Sequence, residues 1–271
     1  MNYLEEHKKI FGCDKPIIGC LHLLPLPGTP HYNEETTIEK NIERLKHDAA
    51  ILMENGVDAV VFANEGDRPY LTSVGPEVIA AYVRVVTEVL PMIHVPYGCG
   101  CLIDPIATLA IAKAIGAKFI RTYVTNSYEG TFGHQEFCPA EVFRYRHQID
   151  ADDVHVYTYF DAHAGVCLDT RPIEAQISSG LAALPISGIL VGGPRAGLPP
   201  ETSAFANVKK AFPEIPLILG SGANKDNIAD LMPYCDGLIV GTTTKRDQYL
   251  YNEMDPERAK EFIAAAKAAR K

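Results

Sequence analysis

The stretch PLILGSGANKDNIADLMPYCDGLIVGTTTK, residues 216–245, decides how this chain folds. An apolar run at 216–219 ends in Gly220-Ser221-Gly222, a helical segment follows, and a second apolar run at 237–240 ends in Gly241-Thr242-Thr243. Neighbouring strands that stop this way bring backbone N–H groups and hydroxyls to one spot, and a following helix N-terminus adds positive dipole. A phosphate group fits that description. In barrels of alternating strands and helices such a site is typically built from the loops after strands seven and eight. The rest of the chain should therefore read as the strand-helix units leading up to this pair, within one (β/α)8 TIM barrel over residues 1–271.

Working outward, strand-like runs recur at roughly thirty-residue intervals, the size of one βαβ step. They fall near 17–23, 59–63, 92–96, 119–124, 154–160, 188–191, 217–220 and 238–241. Between them the helices carry their own punctuation. Thr36 and Glu39 form a capping box, Ile38, Ile42, Leu45, Ala49 and Leu52 share one face, and Gly56 stops the helix. Asp104-Pro105 and Asp255-Pro256 each supply an N-cap followed by proline in the first turn, and Gly116 ends the helix that Asp104 opens. Other helices are predicted at 76–90, 139–147, 171–183, 201–212, 224–231 and 256–270. The longest irregular stretches, 25–35, 125–138 and 242–255, each follow a strand end, which is the functional face of this architecture.

Composition narrows the function. With 25 Lys plus Arg against 34 Asp plus Glu, the net charge of −9 repels nucleic acid and anionic lipid. No apolar run is long enough for a membrane span, and the charged MNYLEEHKKIFG start lacks the apolar core of a secretory signal. These features point to a cytoplasmic protein. The seven cysteines are scattered singly except for Cys99-Gly100-Cys101 and read mostly as small apolar fillers. No glycine loop of the Walker type is present, which argues against nucleotide hydrolysis.

At the strand ends stand the residues that can carry chemistry. His22 closes the first strand, and Asn64-Glu65-Gly66-Asp67 closes the second, where two carboxylates and an amide suit a general base or a hard-metal site. A polar loop in which Asp67 pairs with Arg68 is the plain alternative. His94 on the third strand is read as structural. Arg121 sits within an otherwise apolar fourth strand, so it must pair with Glu65 or Asp67 or hold a substrate anion. Asp161 and His163 end the fifth strand, where a carboxylate can orient an imidazole. After the sixth come Gly192, Gly193 and Arg195, and with Gly220, Ser221, Gly222, Gly241, Thr242 and Lys245 the glycines make a phosphate-binding set in the loops after strands six to eight. A structural alternative is that the glycines only make tight turns.

The segments GCLHLLPLPGTP (19–30), NEGDRP (64–69), LAIAKAIGAKFIR (109–121), LGSGANKDNI (219–228) and DGLIVGTTTKRD (236–247) together resemble the BtpA/SgcQ family. The resemblance runs nearly end to end and departs from the family pattern at the ends of strands three to five. It implies a barrel of the ribulose-phosphate-binding type. The family is named for photosystem I accumulation in cyanobacteria, while relatives elsewhere accompany sugar-uptake genes. The expected protein is an enzyme acting on a small phosphorylated substrate, a sugar phosphate, by proton transfer next to a carbonyl (isomerisation, epimerisation or retro-aldol cleavage). Glu65 would be the base, His163 or His22 the acid, and Arg121 or Asn64 the oxyanion donor, with a role for a divalent metal ion left open. The rival reading is a non-catalytic assembly or regulatory factor that kept the phosphate site. Homo-oligomerisation through the helices is also open.

Overall fold

The structure is a computed structural model that describes residues 2–162, 164–194 and 197–270. In chain order the first half runs α1 (Tyr3–Phe11), β1 (Ile17–His22), α2 (Ile38–Asn55), β2 (Ala59–Ala63), α3 (Pro76–Val89), β3 (Tyr97–Gly100), α4 (Pro105–Ile115), β4 (Phe119–Thr122), β5 (Ser127–Gly130), β6 (Gly133–Glu136) and α5 (Pro139–Gln148). The second half adds β7 (His155–Tyr159), β8 (Gly165–Cys167), α6 (Ile173–Ala183), β9 (Gly188–Val191), α7 (Thr202–Ala211), β10 (Leu217–Leu219), α8 (Ile228–Leu231), β11 (Gly237–Val240) and α9 (Pro256–Ala269). Eight of the strands close a parallel barrel in the order β1-β2-β3-β4-β7-β9-β10-β11, and β11 pairs back onto β1 through Ile17 and Leu238.

Period-two alternation sorts the side chains. Ile18 and Cys20 of β1, Phe119 of β4, and Tyr157 and Tyr159 of β7 fill the interior. Leu21, Val60, Phe62, Ile120 and Val156 face the helix layer instead. At the N-terminal end α1 acts as a plug: Phe11 packs on Phe119 with centroids 5.1 Å apart, and His7 is buried. Its Nε2 donates to the Asp236 carbonyl at 2.8 Å, so its Nδ1 accepts from the Tyr157 hydroxyl, also at 2.8 Å. Burial holds this imidazole neutral.

Several boundaries differ from the sequence reading, each for a physical reason. The third strand lies at Tyr97–Gly100, not 92–96, because a 3-10 turn at Leu90–Met92 continues α3 and Pro96 has no N–H for the ladder. Its glycines hide it from pattern reading, yet a Cβ on Gly98 would meet the Phe119 ring at 2.5 Å. The cap of α2 is Thr37, whose hydroxyl accepts from Lys40 N, whereas Thr36 accepts from Asn33 N in the preceding turn. Residues 125–138 are no simple loop: β5 and β6 form a hairpin that pairs with β8 as a small antiparallel sheet. Only Ile228–Leu231 of the expected 224–231 helix is α-helical, since the Asn224 and Asn227 side chains hold the backbone before it in turns.

Candidate functional site

Where the strands end, the loops after β10 and β11 wall a cavity of about 240 Å³. One side is formed by residues 220–224 and 241–243; Cys20, His22, Glu65 and Arg121 form the other. It continues into a second cavity of about 400 Å³ through Glu65, Arg121, Ser221, Thr242, Gln248 and Leu250, which line both. The structure thus brings together His22, Glu65, Arg121, Gly220, Ser221, Gly222, Gly241 and Thr242 from the sequence-derived set.

His22 points inward from the end of β1 and is buried. Burial first, then the nearby charges of Lys245 and Arg121, depress its pKa far below the usual histidine range, so the ring is neutral. Its Nδ1 has no hydrogen-bond partner among the described residues. Gly241 makes its room: a Cβ there would lie 2.8 Å from His22 Cε1. Glu65, just beyond β2, is buried and accepts a 3.0 Å hydrogen bond from the Tyr70 hydroxyl on Oε2. Its Oε1 lies 3.8 Å from an Arg121 nitrogen, too far for a direct hydrogen bond. Arg121 Nε donates to the Tyr159 hydroxyl at 3.0 Å. Burial opposes its charge, but Tyr159, Cys20 and Glu65 raise its pKa and keep the guanidinium cationic.

On the opposite wall, Gly222 has φ +80°, and a Cβ there would lie 2.1 Å from the Pro199 nitrogen, so only glycine fits. The Ala223, Thr242 and Thr243 N–H groups donate to no protein acceptor among the described residues. The expected helix dipole is small here, because α8 is a four-residue turn.

Other expectations are corrected. Asn64 and Asp67 are buried but turn away from the cavity to lock loops together. Asp67 accepts from Leu26 N at 2.7 Å and Asn64 Nδ2 at 2.9 Å, while Asn64 Oδ1 accepts from Leu102 N. Asp67 therefore does not pair with Arg68, which stacks 3.6 Å over the Tyr251 ring. The Gly192 and Gly193 amides are occupied by Asp161 Oδ2 and Ser221 Oγ, at 3.2 and 3.0 Å, and neither glycine lines the cavity. Asp161 thus anchors the loop after β9. Lys245 is fully buried and bonds Asp48 at 2.5 Å, so its ammonium is not at the phosphate end. His163 and Arg195 lie outside the described residues.

Sequence reasoning missed Tyr70, Gln248 and Leu250, which arrive from loops without a periodic signal. It also missed Cys20, although a spacing of two residues places it on the same strand face as His22. Among the described residues no group of three His, Cys, Asp or Glu is placed to hold a metal ion. Cys99 and Cys101 are free and buried. No helix among the described residues is long and apolar enough to cross a membrane.

Fold and cavity together define the class: a closed parallel (β/α)8 barrel with its cavity at the C-terminal mouth of the strands. Within that class the chain belongs to the BtpA family, whose profile matches residues 13–268. It is 32% identical to the sgc region protein SgcQ of Escherichia coli over 256 residues, covering 94% of this chain and 96% of that one. It is 33% identical to the photosystem I biogenesis protein BtpA of Synechocystis over 261 residues, covering 94% and 89%. Among solved structures, phosphoribosyl anthranilate isomerase from Thermus thermophilus matches with TM-score 0.55 at 13% identity, over 94% of this chain and 100% of that one. A 4-hydroxy-2-oxoglutarate/2-dehydro-3-deoxyphosphogluconate aldolase matches with TM-score 0.55 at 14% identity, over 94% of both. At such identities the likeness is one of fold.

Proposed function

We propose that the protein is an enzyme acting on a small phosphorylated sugar by proton transfer next to a carbonyl, as in isomerisation, epimerisation or retro-aldol cleavage. The observation that carries this reading is the convergence of a buried carboxylate, a neutral imidazole and a cationic guanidinium on a cavity whose far wall offers unclaimed amides. The amides of Ala223, Thr242 and Thr243 and the Thr242 hydroxyl would hold the phosphate. Glu65 would take the proton from carbon. Arg121 would stabilise the developing oxyanion, and neutral His22 would donate to it, as an uncharged imidazole can when burial keeps it deprotonated.

Thermal unfolding with a panel of sugar phosphates, for wild type, Glu65→Gln and Thr242→Glu, tests the division of labour. Ligand at a hundredfold its Kd stabilises by about 2.7 kcal/mol. A sugar phosphate should shift wild type and Glu65→Gln but not Thr242→Glu, which places a carboxylate at the phosphate wall, and only wild type should turn it over. The second reading is a binding factor without catalysis, favoured by the relative named as a photosystem I biogenesis protein. Full turnover in Glu65→Gln would remove the base from the mechanism, and the absence of any phosphorylated ligand would leave the binding factor.

A further inference from the structure

The second cavity is larger than the first and differently lined. Tyr70, Tyr123, Phe132, Tyr159 and Tyr251 turn toward it, and it shares Glu65 and Arg121 with the polar half. Phe132, at the turn of the β5–β6 hairpin, packs on Tyr70 with centroids 5.0 Å apart. Tyr123 stacks with Tyr159 at 5.1 Å and 27° between planes, and its buried hydroxyl has no partner among the described residues.

Polar side chains stand among these rings as well, and of those Gln135 and Thr122 do not line the first cavity. Gln135 is the inward residue of β6, 7% exposed, and no hydrogen bond of its amide to protein is found among the described residues. The amide faces the cavity, where its donor and acceptor are available to a ligand. A sugar phosphate seated on the polar wall reaches neither this amide nor most of the aromatic surface, because those groups line only the second cavity.

We propose that the second cavity receives a planar heteroaromatic group attached to the phosphorylated sugar. This inference rests on the phosphate and sugar site proposed above and narrows its ligand class to a phosphorylated sugar that carries an aromatic group; nucleoside 5′-monophosphates present the same three parts and, having no carbonyl, serve as binding probes and not as substrates of the proton transfer. The Tyr70 and Phe132 rings contact the faces of the group. Gln135, a donor and an acceptor in one plane, reads its hydrogen-bonding edge, as glutamine does with bases. The sugar then lies between the cavities, beside Glu65 and Arg121, which line both.

Calorimetric titration separates the two claims. Wild type is titrated with ribose 5-phosphate, with the 5′-monophosphates of adenosine, guanosine, cytidine and uridine, and with the phosphate-free nucleosides. Phe132→Ala and Gln135→Leu are titrated alongside, with circular dichroism to show that they fold. At least one monophosphate should bind about tenfold or more tighter than ribose 5-phosphate, the scale of one stacked base. Both variants should erase that gain while changing ribose 5-phosphate affinity by less than about twofold. If ribose 5-phosphate binds and no monophosphate binds more tightly, the aromatic subsite is overturned and the function above stands. If nucleosides bind as tightly as their monophosphates, the phosphate anchor falls and the aromatic subsite stands. If nothing binds, both fall.

Discussion

Gly241 contributes to the site by what it lacks. Its missing side chain leaves the space that the His22 imidazole occupies, with a built Cβ 2.8 Å from Cε1 and 3.2 Å from Nε2. Alanine at this position must displace the ring, which is buried at the cavity wall. Gly241→Ala should destabilise by about 1–3 kcal/mol, the usual cost of overpacking, measurable by urea unfolding. Turnover should fall further than that instability explains, because the imidazole leaves its register with the cavity. A variant as stable and active as wild type would mean that His22 has room to move and that its placement is not critical. The same contact shows what the sequence can and cannot convey. Gly241 was legible as a strand end, but its steric role needs the coordinates, since His22 is more than two hundred residues away in the chain.

At the scale of elements, Lys245 shows how a correct position can hide a different role. It follows the Gly241-Thr242 turn as a phosphate ligand would, yet the chain turns it inward to α2, where Asp48 binds it. Asp48 also accepts from Met254 N at 2.9 Å and lies 3.4 Å from Arg44 Nε, so the pair ties α2 to the loop before α9. Burial would raise the Asp48 pKa, but Lys245 and Arg44 outweigh it and keep the carboxylate ionised. Removing one partner strands the other charge. Lys245→Met should cost about 3–5 kcal/mol, and the double variant Lys245→Met/Asp48→Leu should lose less than that single one. A double-variant loss equal to the sum of the losses of Lys245→Met and Asp48→Leu alone would show that the ions are not coupled. Element scale is also where legibility was uneven. The capped helices α4 and α9 were readable because Asp104 and Asp255 carry local signals. By contrast, β3 is held by strand pairing and by space for Phe119, and the hairpin is short and polar. Neither has a hydrophobic period of its own.

For the whole molecule, buried titratable groups set opposing dependences on pH. The buried Asp161 carboxyl is pushed up to about 6, and Asp67 likewise, each by burial against the donors that favour ionisation. Unfolded aspartate ionises near ~3.9. Between that value and about 6 the folded chain holds protons that the unfolded chain releases, so this contribution to stability falls as pH rises through the window and is lost above it. His7, His22 and His155 act in the opposite sense. Burial lowers each, so the unfolded chain gains protons first, and stability falls as pH drops below about 6.5. The two sets partly cancel at about pH 5–6, which makes the wild-type curve a poor guide to either. A single substitution separates them. Asp161→Asn removes one ionisation while keeping an oxygen to accept from Gly192 N. Its stability relative to wild type should rise between pH 4 and 6 and level off above, by on the order of 2 kcal/mol. Urea unfolding at pH 4, 5, 6 and 7 gives the difference directly. A difference that does not change with pH would show that Asp161 titrates alike in both states, and the orphaned Oδ1 would then need a partner that neutralises its cost.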